Sequence, residues 1–568
     1  MLTEIGFTAH EALRGWPGLA LDYAAVQAPM WAAMWRGRAP WRAFAASPVL
    51  AGSLLLVTGI GMAVANPFFH AAHLGGSLTE YALGAGIGGL LGYGGGHVLA
   101  APAHEAGGYV RGTTILDAEE AAAPRSARRR LERSHGRSGN RRHGGVSIAG
   151  VPVPAADETK HFKLMGTTGA GKSTAIAELL SGALRRGDRA LIADPDGGYL
   201  ARFFDRGRGD LILSPFEPGG AKWDLFGEIR EEYDIDQLAL ALIPDHEGQD
   251  RSWRGYARTL FAAVTSQARA AGVSDVKSLF ELLVVAKKTE LATLVQGTPA
   301  QAFFEEHNDR MLDSIRSVLT SAVGALQHVA RQESAPLSVR QWVQSGAGVL
   351  FIPYRAGQIA ALRSTVSAWM RIGIFEAMSR PAEDQRLWFV IDELDALGQI
   401  DGLKDALARL RKFGGRCVLG FQSVAQVSTT YGRGEAQTIV ENCGNTLILR
   451  CSASEHGGTS QFASRLIGQR EVVRILRSKS RRPSDLLASV TESEHRQIEP
   501  AVMDSQIERL ADLAGFLKLA SSPDWLRVSL RPPAPIREPR AAAIGILTRE
   551  VSRAADAAMT FEHELEHD

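Results

Sequence analysis

The sequence predicts an α/β fold, in which a parallel sheet alternates with helices, with an inserted all-α domain and an N-terminal two-helix transmembrane anchor. Three observations predict it. Two charge-free apolar runs lie in the first hundred residues, a glycine-rich loop joins an apolar strand to a helix near residue 170, and an apolar strand ends in two acids near residue 392. Hydrophobic residues make up 45% of the 568 residues and charged residues 22%, which excludes a disordered or collagen-like chain.

Charge and cysteine content exclude further classes. The formal net charge is +1, so an attraction to nucleic acid must come from local patches. Cys417, Cys443 and Cys451 are too few for a disulfide framework, and no CxxC pair suggests a zinc site. The main mass of the chain is therefore expected in a reducing, cytosolic environment.

The apolar runs cover residues 49–69 and 81–103, and neither contains a charged side chain. Each reaches the length of about 20 residues that a helix needs to cross a bilayer. A buried helical hairpin of a soluble domain is the alternative. Lys and Arg are absent from the loop at 70–80, whereas eight arginines lie between residues 125 and 142. The positive-inside rule therefore predicts both termini in the cytoplasm.

Two smaller features accompany these runs. Trp31, Trp35 and Trp41 precede the first run, as expected of an interfacial helix in the N-terminal flank. The second run carries a ridge of small residues that permits close helix approach, although glycine is frequent throughout this segment. Its members are Gly84, Gly88, Gly92 and Gly96.

The strongest motif is HFKLMGTTGAGKSTAIAELL, which fits the G-x-x-x-x-G-K-[ST] pattern in full. Backbone N–H groups of such a loop surround phosphates, its lysine reaches the β- and γ-phosphates, and its serine holds Mg²⁺. The following helix directs its positive end at the nucleotide. The predicted ATP-binding residues are Gly166, Thr167, Thr168, Gly169, Ala170, Gly171, Lys172, Ser173 and Thr174.

A second strand, in LWFVIDELDALG, supplies the acids that such a loop requires. Asp392 is predicted to bind Mg²⁺ together with Ser173, and Glu393 to polarise the attacking water. A helix N-cap at Asp392 is the alternative. Asp194 and Asp196 also follow an apolar strand, where turn chemistry and a direct role remain equally open.

Two further candidates flank the strand in RCVLGFQ. Gln422 follows it, where RecA-like motors place a polar residue that contacts the γ-phosphate; helix capping is the alternative. Arg411 lies before it, near the end of a helix. There it either complements the helix dipole or reaches the site of a neighbouring subunit as an arginine finger.

These segments resemble the type IV coupling proteins, the TraD/TrwB family of conjugation systems. The resemblance spans roughly residues 146–532 and includes RGDRALIADPDGGYLARFF, ARLRKFGGRCVLGFQSVAQVSTTYG and the more specific phrase AKWDLFGEI. It implies a homo-hexameric ATPase in the bacterial inner membrane that moves single-stranded DNA, with its attached relaxase, toward a type IV secretion channel. Duplex DNA is expected as a further binding partner. The implied partners are the relaxase and relaxosome proteins, components of the secretion channel and membrane lipids. It assigns Gln422 as sensor and Arg411 as the trans-acting arginine.

With this resemblance, the fold is expected to be a RecA-like P-loop NTPase core with the insertion and anchor described above. The expected segments are a cytoplasmic flank at 1–46, the two-span hairpin at 47–104, an Arg-rich linker at 105–144, the first part of the core at 145–228, the all-α insertion at 229–338, the second part of the core at 339–532 and an acidic C-terminal tail at 533–568.

Three other functions compete with this interpretation. A double-stranded DNA pump resembling FtsK normally carries more spans, a long linker and a C-terminal winged helix, which the sequence does not show. A coupling protein for protein effectors alone is compatible with the sequence. A membrane-tethered ATPase of the secretion channel itself is expected to lack the phrase AKWDLFGEI.

Overall fold

The computed structural model describes residues 16–36, 39, 41–71, 77–100, 108–118, 145–245, 250–379, 386–454, 458–480 and 489–532. The chain divides into two compact units, Met1–Val110 with Glu471–Gln497 and Arg111–Arg470 with Ile498–Asp568. The first 15 residues of the predicted flank, the arginine-rich part of the predicted linker and the predicted acidic tail lie outside the described residues.

The helices and strands account for most of the described residues. The α-helices are α1 (Trp16–Arg36), α2 (Trp41–Ala71), α3 (Ser77–Ala100), α4 (Ala155–Glu158), α5 (Lys172–Arg185), α6 (Gly198–Phe203), α7 (Tyr233–Leu242), α8 (Arg251–Ala270), α9 (Val276–Phe280), α10 (Lys288–Leu294), α11 (Asp309–Val323), α12 (Leu326–Ala330), α13 (Val339–Ser345), α14 (Ala356–Ala377), α15 (Leu403–Leu410), α16 (Val424–Tyr431), α17 (Arg433–Asn442), α18 (Gly458–Ile467) and α19 (Asp504–Glu508). The strands are β1 (Gly108–Gly112), β2 (Ile115–Asp117), β3 (Ser147–Ile148), β4 (Val151–Pro152), β5 (Phe162–Met165), β6 (Arg189–Pro195), β7 (Leu211–Ile212), β8 (Lys222–Trp223), β9 (Pro336–Leu337), β10 (Val349–Tyr354), β11 (Leu387–Ile391), β12 (Gly415–Phe421), β13 (Asn445–Ile448), β14 (Gln469–Ser480), β15 (Ser489–Pro500), β16 (Ala514–Lys518) and β17 (Trp525–Ser529).

In the first unit, α1 packs against α3 where glycines replace side chains. A methyl group at Gly92 would lie 2.1 Å from the carbonyl oxygen of Val26, and one at Gly96 would lie 2.4 Å from that of Met30. The ridge therefore permits close helix approach at Gly92 and Gly96, where its partner is α1, whereas a methyl group at Gly84 would meet no described atom within 4 Å. Among the helices within the described ranges, none combines the length and the apolar character that crossing a membrane requires.

The second unit contains a ten-stranded sheet in the order β2-β17-β16-β13-β5-β12-β11-β6-β10-β7. The seven strands from β13 to β7 run parallel, and β16 pairs antiparallel with β13 and β17. All residues of β5, β11 and β12 are buried, as expected of parallel strands covered by helices on both faces. The carboxyl ends of these strands meet at one edge of the sheet, where α/β proteins bind ligands.

A run of helices, α7 to α12, lies in the chain between the short strands β8 and β9, which pair in parallel. Their junction is held by the buried carboxylate of Glu228. It accepts hydrogen bonds from Trp223 Nε1 at 3.0 Å, from the Ser338 hydroxyl at 3.0 Å and from the backbone N–H groups of Val339 and Arg340 at 2.7 and 3.0 Å. Residues of the phrase AKWDLFGEI thus hold together the two points at which the chain enters and leaves the helical segment.

Candidate nucleotide-binding site

The glycine-rich loop connects β5 to α5 and requires glycine at two positions. Gly169 and Gly171 have φ of 78° and 116°, in the left-handed region that other residues adopt rarely. A methyl group at Gly171 would also lie 2.9 Å from a Leu513 methyl carbon. Leu513 donates its backbone N–H to the Ala170 carbonyl at 3.0 Å. The segment that precedes β16 therefore packs against the glycine-rich loop.

Lys172 begins α5 and is buried, with its ammonium group close to the loop backbone. Its Nζ donates to the carbonyl oxygens of Gly166 at 2.6 Å and of Thr167 at 3.4 Å. Burial lowers the pKa of Lys172, which the nearby carboxylates of Asp392 and Glu393 oppose. A cation held over the loop in this way is suited to bind phosphate oxygens.

The three threonines predicted to bind nucleotide occupy different environments. Thr167 donates its backbone N–H to the Arg450 carbonyl at 2.8 Å, and the Arg450 side chain pairs with Asp512 at 2.7 Å. Thr168 is exposed at the tip of the loop, and Thr174 is half-buried in the first turn of α5. Arg450 was not found by sequence reasoning, because its contact with the loop depends on the pairing of β13 with β5.

The structure brings Ser173 and Asp392 together, although 219 positions separate them. Ser173 Oγ donates to Asp392 Oδ2 at 2.6 Å, and the Tyr199 hydroxyl donates to the same oxygen at 2.8 Å. The second oxygen, Oδ1, is buried and has no hydrogen-bond partner among the residues that the structure describes. An unpaired buried carboxylate oxygen beside a serine hydroxyl is a donor set that fits Mg²⁺.

Such a cation would need additional oxygen ligands. Within the described residues, no group of three or more His, Cys, Asp or Glu side chains is arranged to hold a metal ion. Mg²⁺ is commonly held by one or two protein oxygens together with substrate phosphates. Ser173 and Asp392 therefore fit a magnesium ion that arrives with a nucleotide.

Glu393 and Gln422 also meet at this edge, because β11 and β12 are neighbours. Gln422 Nε2 donates to Glu393 Oε1 at 2.6 Å. A methyl group at Gly420 would lie 2.2 Å from the Asp392 carbonyl, so glycine is needed for the strand of Gln422 to approach the acids. Burial raises the pKa of Glu393, and the carboxylates of Asp395 and Asp392 raise it further. A carboxylate with a raised pKa is suited to accept a proton from water.

Asp194 lies near the carboxyl end of β6, where the sequence left turn chemistry and a direct role equally open. Its two oxygens accept the backbone N–H groups of Tyr199 at 3.1 Å and Leu200 at 2.6 Å, so it shapes the turn into α6. Burial raises the pKa of Asp194 to about 7, and the nearby Asp392 carboxylate adds to the rise. Tyr199 was missed by sequence reasoning, since a tyrosine in a short helix gives no signal of its own.

Arg411 lies apart from the residues above. It is exposed in a short 3-10 turn, Arg411–Phe413, directly before the amino end of β12. Gln422 follows the carboxyl end of the same seven-residue strand. At about 3.3 Å per residue, the strand separates the two by about 20 Å, which is more than an arginine side chain can span. The guanidinium therefore cannot reach the phosphate loop of its own chain.

The chain is similar to known proteins in sequence and in fold. The family model described as "Type IV secretion-system coupling protein DNA-binding domain" matches residues 145–531. Coupling protein TraD of Escherichia coli strain K12 is 30% identical over 394 residues, which are 68% of this chain and 54% of that protein. The chain spans about half the length of the curated relatives it matches.

Solved structures of TrwB are similar over most of the chain. The unbound form of the bacterial conjugative coupling protein TrwBΔN70 has a TM-score of 0.65 and 31% identity, covering 76% of this chain and 96% of that one. A plasmid coupling protein TrwB in complex with ADP and Mg²⁺ has a TM-score of 0.64 and 30% identity, with the same coverage. The RecA-like α/β fold predicted from the sequence is thereby confirmed.

Proposed function

The chain belongs to the family of type IV secretion-system coupling proteins, and from this premise we propose that it is a membrane-bound ATPase that drives DNA transfer to a secretion channel. One observation carries the proposal. The phosphate loop, the Ser173–Asp392 pair and the Glu393–Gln422 pair converge at one edge of a parallel sheet. That arrangement contains every group that hydrolysis of a nucleoside triphosphate requires from its own chain.

Each side chain has a distinct part in the proposed hydrolysis. The loop N–H groups and Lys172 bind the phosphates, while Ser173 and Asp392 hold Mg²⁺, which neutralises charge on the β- and γ-phosphates when bound. Glu393 orients the attacking water and accepts its proton. Gln422 holds Glu393 through its amide at the carboxyl edge of the sheet, which supports its proposed role as a sensor of the γ-phosphate.

The active assembly is proposed to be a homo-hexamer. A guanidinium that stabilises the charge of the transferring phosphoryl group is a recurrent part of such enzymes. Arg411 is exposed and lies at the sheet edge opposite its own phosphate loop, so an arginine finger at this position would act in the site of a neighbouring subunit. This placement supports a ring in which each site is completed by the next chain.

A two-span anchor in the bacterial inner membrane is proposed for the N-terminal region. The charge-free runs at 49–69 and 81–103 fall largely within α2 and α3. Large apolar side chains on these helices are exposed, for example Val49, Leu90 and Val98 at 76% each. Arginines flank the runs on the side of both termini, which supports a cytoplasmic motor. Extraction of the full chain should need detergent; release by high salt alone would show a peripheral protein.

The proposed cargo is single-stranded DNA with its attached relaxase, and the chain is expected to act on duplex DNA as well. Relaxosome proteins, channel components and membrane lipids are the expected partners. The family match to a DNA-binding domain supports the nucleic-acid part of this proposal.

ATPase activity of the purified chain tests the proposed function. With ATP and Mg²⁺, added single-stranded DNA should raise the rate, and DNA binding should weaken steeply with salt because phosphate contacts dominate it. Lys172→Ala serves as the inactive control. An ATPase that no DNA stimulates would favour a coupling protein for protein effectors. Stimulation by duplex alone would favour a pump resembling FtsK.

A further inference from the structure

We propose that Tyr199 is a positioning residue that orients Asp392 toward the magnesium ion. The inference rests on the proposed ATPase function and concerns a residue outside the two nucleotide motifs. Tyr199 lies on α6, after β6, and is 5% exposed. Its hydroxyl reaches across to the neighbouring strand and donates to Asp392 Oδ2 at 2.8 Å.

The two oxygens of Asp392 are thereby made unequal. Oδ2 accepts two hydrogen bonds, from Ser173 and from Tyr199, whereas Oδ1 is buried and accepts none from the described part of the chain. Two donors on one oxygen fix the rotation of the carboxylate. The unpaired oxygen is then held in one orientation before any cation arrives, so metal binding need not order it.

The position of Tyr199 is itself fixed from the backbone. Asp194 is fully buried and holds the N–H groups of Tyr199 and Leu200 with its two oxygens. The turn between them needs left-handed conformations, φ of 58° at Asp196 and 70° at Gly197. The pattern Asp-Pro-Asp-Gly-Gly-Tyr thus forms a rigid turn that places the Tyr199 hydroxyl against the Asp392 carboxylate.

A tyrosine suits this task better than a cationic residue. Asp392 lies close to other carboxylates, including Glu393 and Asp194, as their raised pKa values reflect. A lysine or arginine here would neutralise the charge that attracts Mg²⁺. A phenol donates a hydrogen bond and leaves that charge in place, as residues that support metal ligands commonly do.

The test compares Tyr199→Phe with Tyr354→Phe as a matched control. Tyr354 is also buried, at 3% exposure, and burial together with the nearby charges of Glu393 and Asp392 raises its pKa. Its hydroxyl has no hydrogen-bond partner within the described ranges. Binding of a fluorescent ADP analogue to the full chain in detergent is measured with EDTA and then over a Mg²⁺ titration. Removing a residue that supports a metal ligand typically weakens metal binding about 10- to 100-fold.

For Tyr199→Phe we expect ADP affinity in EDTA within about twofold of wild type and a Mg²⁺ requirement raised by about tenfold. Tyr354→Phe should match wild type in both measurements. A Mg²⁺ requirement of Tyr199→Phe equal to that of wild type would overturn the inference and leave the proposed function intact. A wild-type chain that binds no nucleotide would refute the proposed function, and this inference with it.

A double-mutant cycle separates positioning from damage to the fold. If Tyr199 acts through Asp392, adding Tyr199→Phe to Asp392→Asn should change the Mg²⁺ requirement no further. Loss of packing would instead lower Mg²⁺ binding by the same factor in both backgrounds, and that result would overturn the proposal.

Discussion

The two edges of the parallel sheet differ in how completely their polar groups are paired. At the carboxyl edge, three buried oxygens have no hydrogen-bond partner among the described residues: Asp392 Oδ1, Asp395 Oδ1 and the Tyr354 hydroxyl. At the amino edge of the same strands, Glu158 and Asp188 are buried in a network of ion pairs. The carboxyl edge is therefore arranged to receive a ligand, whereas the amino edge is held in place by its own ion pairs.

The amino-edge network is built from residues that precede or begin four neighbouring strands. Glu158 accepts from Arg186 Nη1 and Nη2 at 2.7 and 2.8 Å, and from Arg416 Nε at 2.8 Å. Asp188 accepts from Arg186 and from Trp388 Nε1 at 2.9 Å. Arg416 also donates to the Gly414 carbonyl, at the end of the turn that carries Arg411. The network therefore supports the segment that presents Arg411.

His161 strengthens this support from the start of β5. Burial lowers the pKa of His161 to about 4, so the ring is neutral. Its Nδ1 accepts the backbone N–H of Cys417 at 3.1 Å, which places the proton on Nε2, and Nε2 donates to the Leu407 carbonyl at 2.9 Å. The helix that leads to Arg411 is thereby attached to the strand that leads to the phosphate loop.

The largest effect is expected at the carboxyl edge, in activity and not in stability. Glu393→Gln should lower the ATPase rate by roughly 10³-fold, since only the acceptance of the water proton is lost, while nucleotide affinity stays near wild type. Because burial and neighbouring acids raise the pKa of Glu393, a neutral side chain should leave the urea midpoint unchanged or slightly higher. Near wild-type turnover by this variant would refute the assignment of Glu393.

At the amino edge, the effect is expected in stability and not in activity. Glu158→Ala removes a buried carboxylate that pairs with two arginines: Arg416 loses this ion pair, and Arg186 retains its pair with Asp188. Breaking a buried ion pair from one side typically costs about 3–5 kcal/mol of unfolding free energy. Urea denaturation of the full chain in detergent measures it. A loss below about 1 kcal/mol, as for exposed pairs, would contradict the view that this edge is fixed by ion pairs.

A smaller effect is expected in the pH dependence of stability, with opposite signs at the two edges. Asp194 has a pKa raised to about 7, so its contribution to stability is full below about pH 4 and is lost as the pH rises toward 7. Burial alone would raise the pKa of Glu158, but Arg186 and Arg416 lower it, so its contribution is lost as the pH falls below about 4.

Variants at these two acids separate the contributions. Asp194→Asn should flatten the decline in the urea midpoint between about pH 4 and pH 7, and Glu158→Gln should flatten the acid side of the profile. If both variants flattened the same side, the proposed contrast in pKa between the edges would be wrong.

Sequence reasoning located the phosphate loop and the acids because each motif is local. The spacing of Gly166, Gly171 and Lys172, and the pair Asp392–Glu393 after an apolar strand, carry their meaning within a few residues. It also placed Gln422 after a strand. It did not predict that Gln422 would bind Glu393, since that contact depends on β12 lying beside β11.

The residues that sequence reasoning missed form contacts with residues that are far away in the chain. Tyr199 and Asp392 are 193 positions apart, and Glu158 and Arg416 are 258 apart. No short pattern encodes such contacts. The strands β1 and β2 were also missed, because the sequence around them was interpreted as a linker. Sequence reasoning also did not identify α1 as the helix that packs on Gly92 and Gly96, since a ridge of small residues does not specify which helix it contacts.

We propose that the amino edge of the sheet in one subunit, which carries Arg411, completes the nucleotide site at the carboxyl edge of the sheet in the next subunit. Mixing two inactive variants, Arg411→Ala and Lys172→Ala, under conditions in which rings form tests this proposal. An Arg411→Ala chain keeps an intact phosphate loop and can receive Arg411 from a Lys172→Ala neighbour, and such an arginine can be worth about 10³-fold or more in rate. We predict that ATPase activity returns in the mixture and not in either variant alone. Mixtures that verifiably co-assemble and remain inactive would contradict the claim.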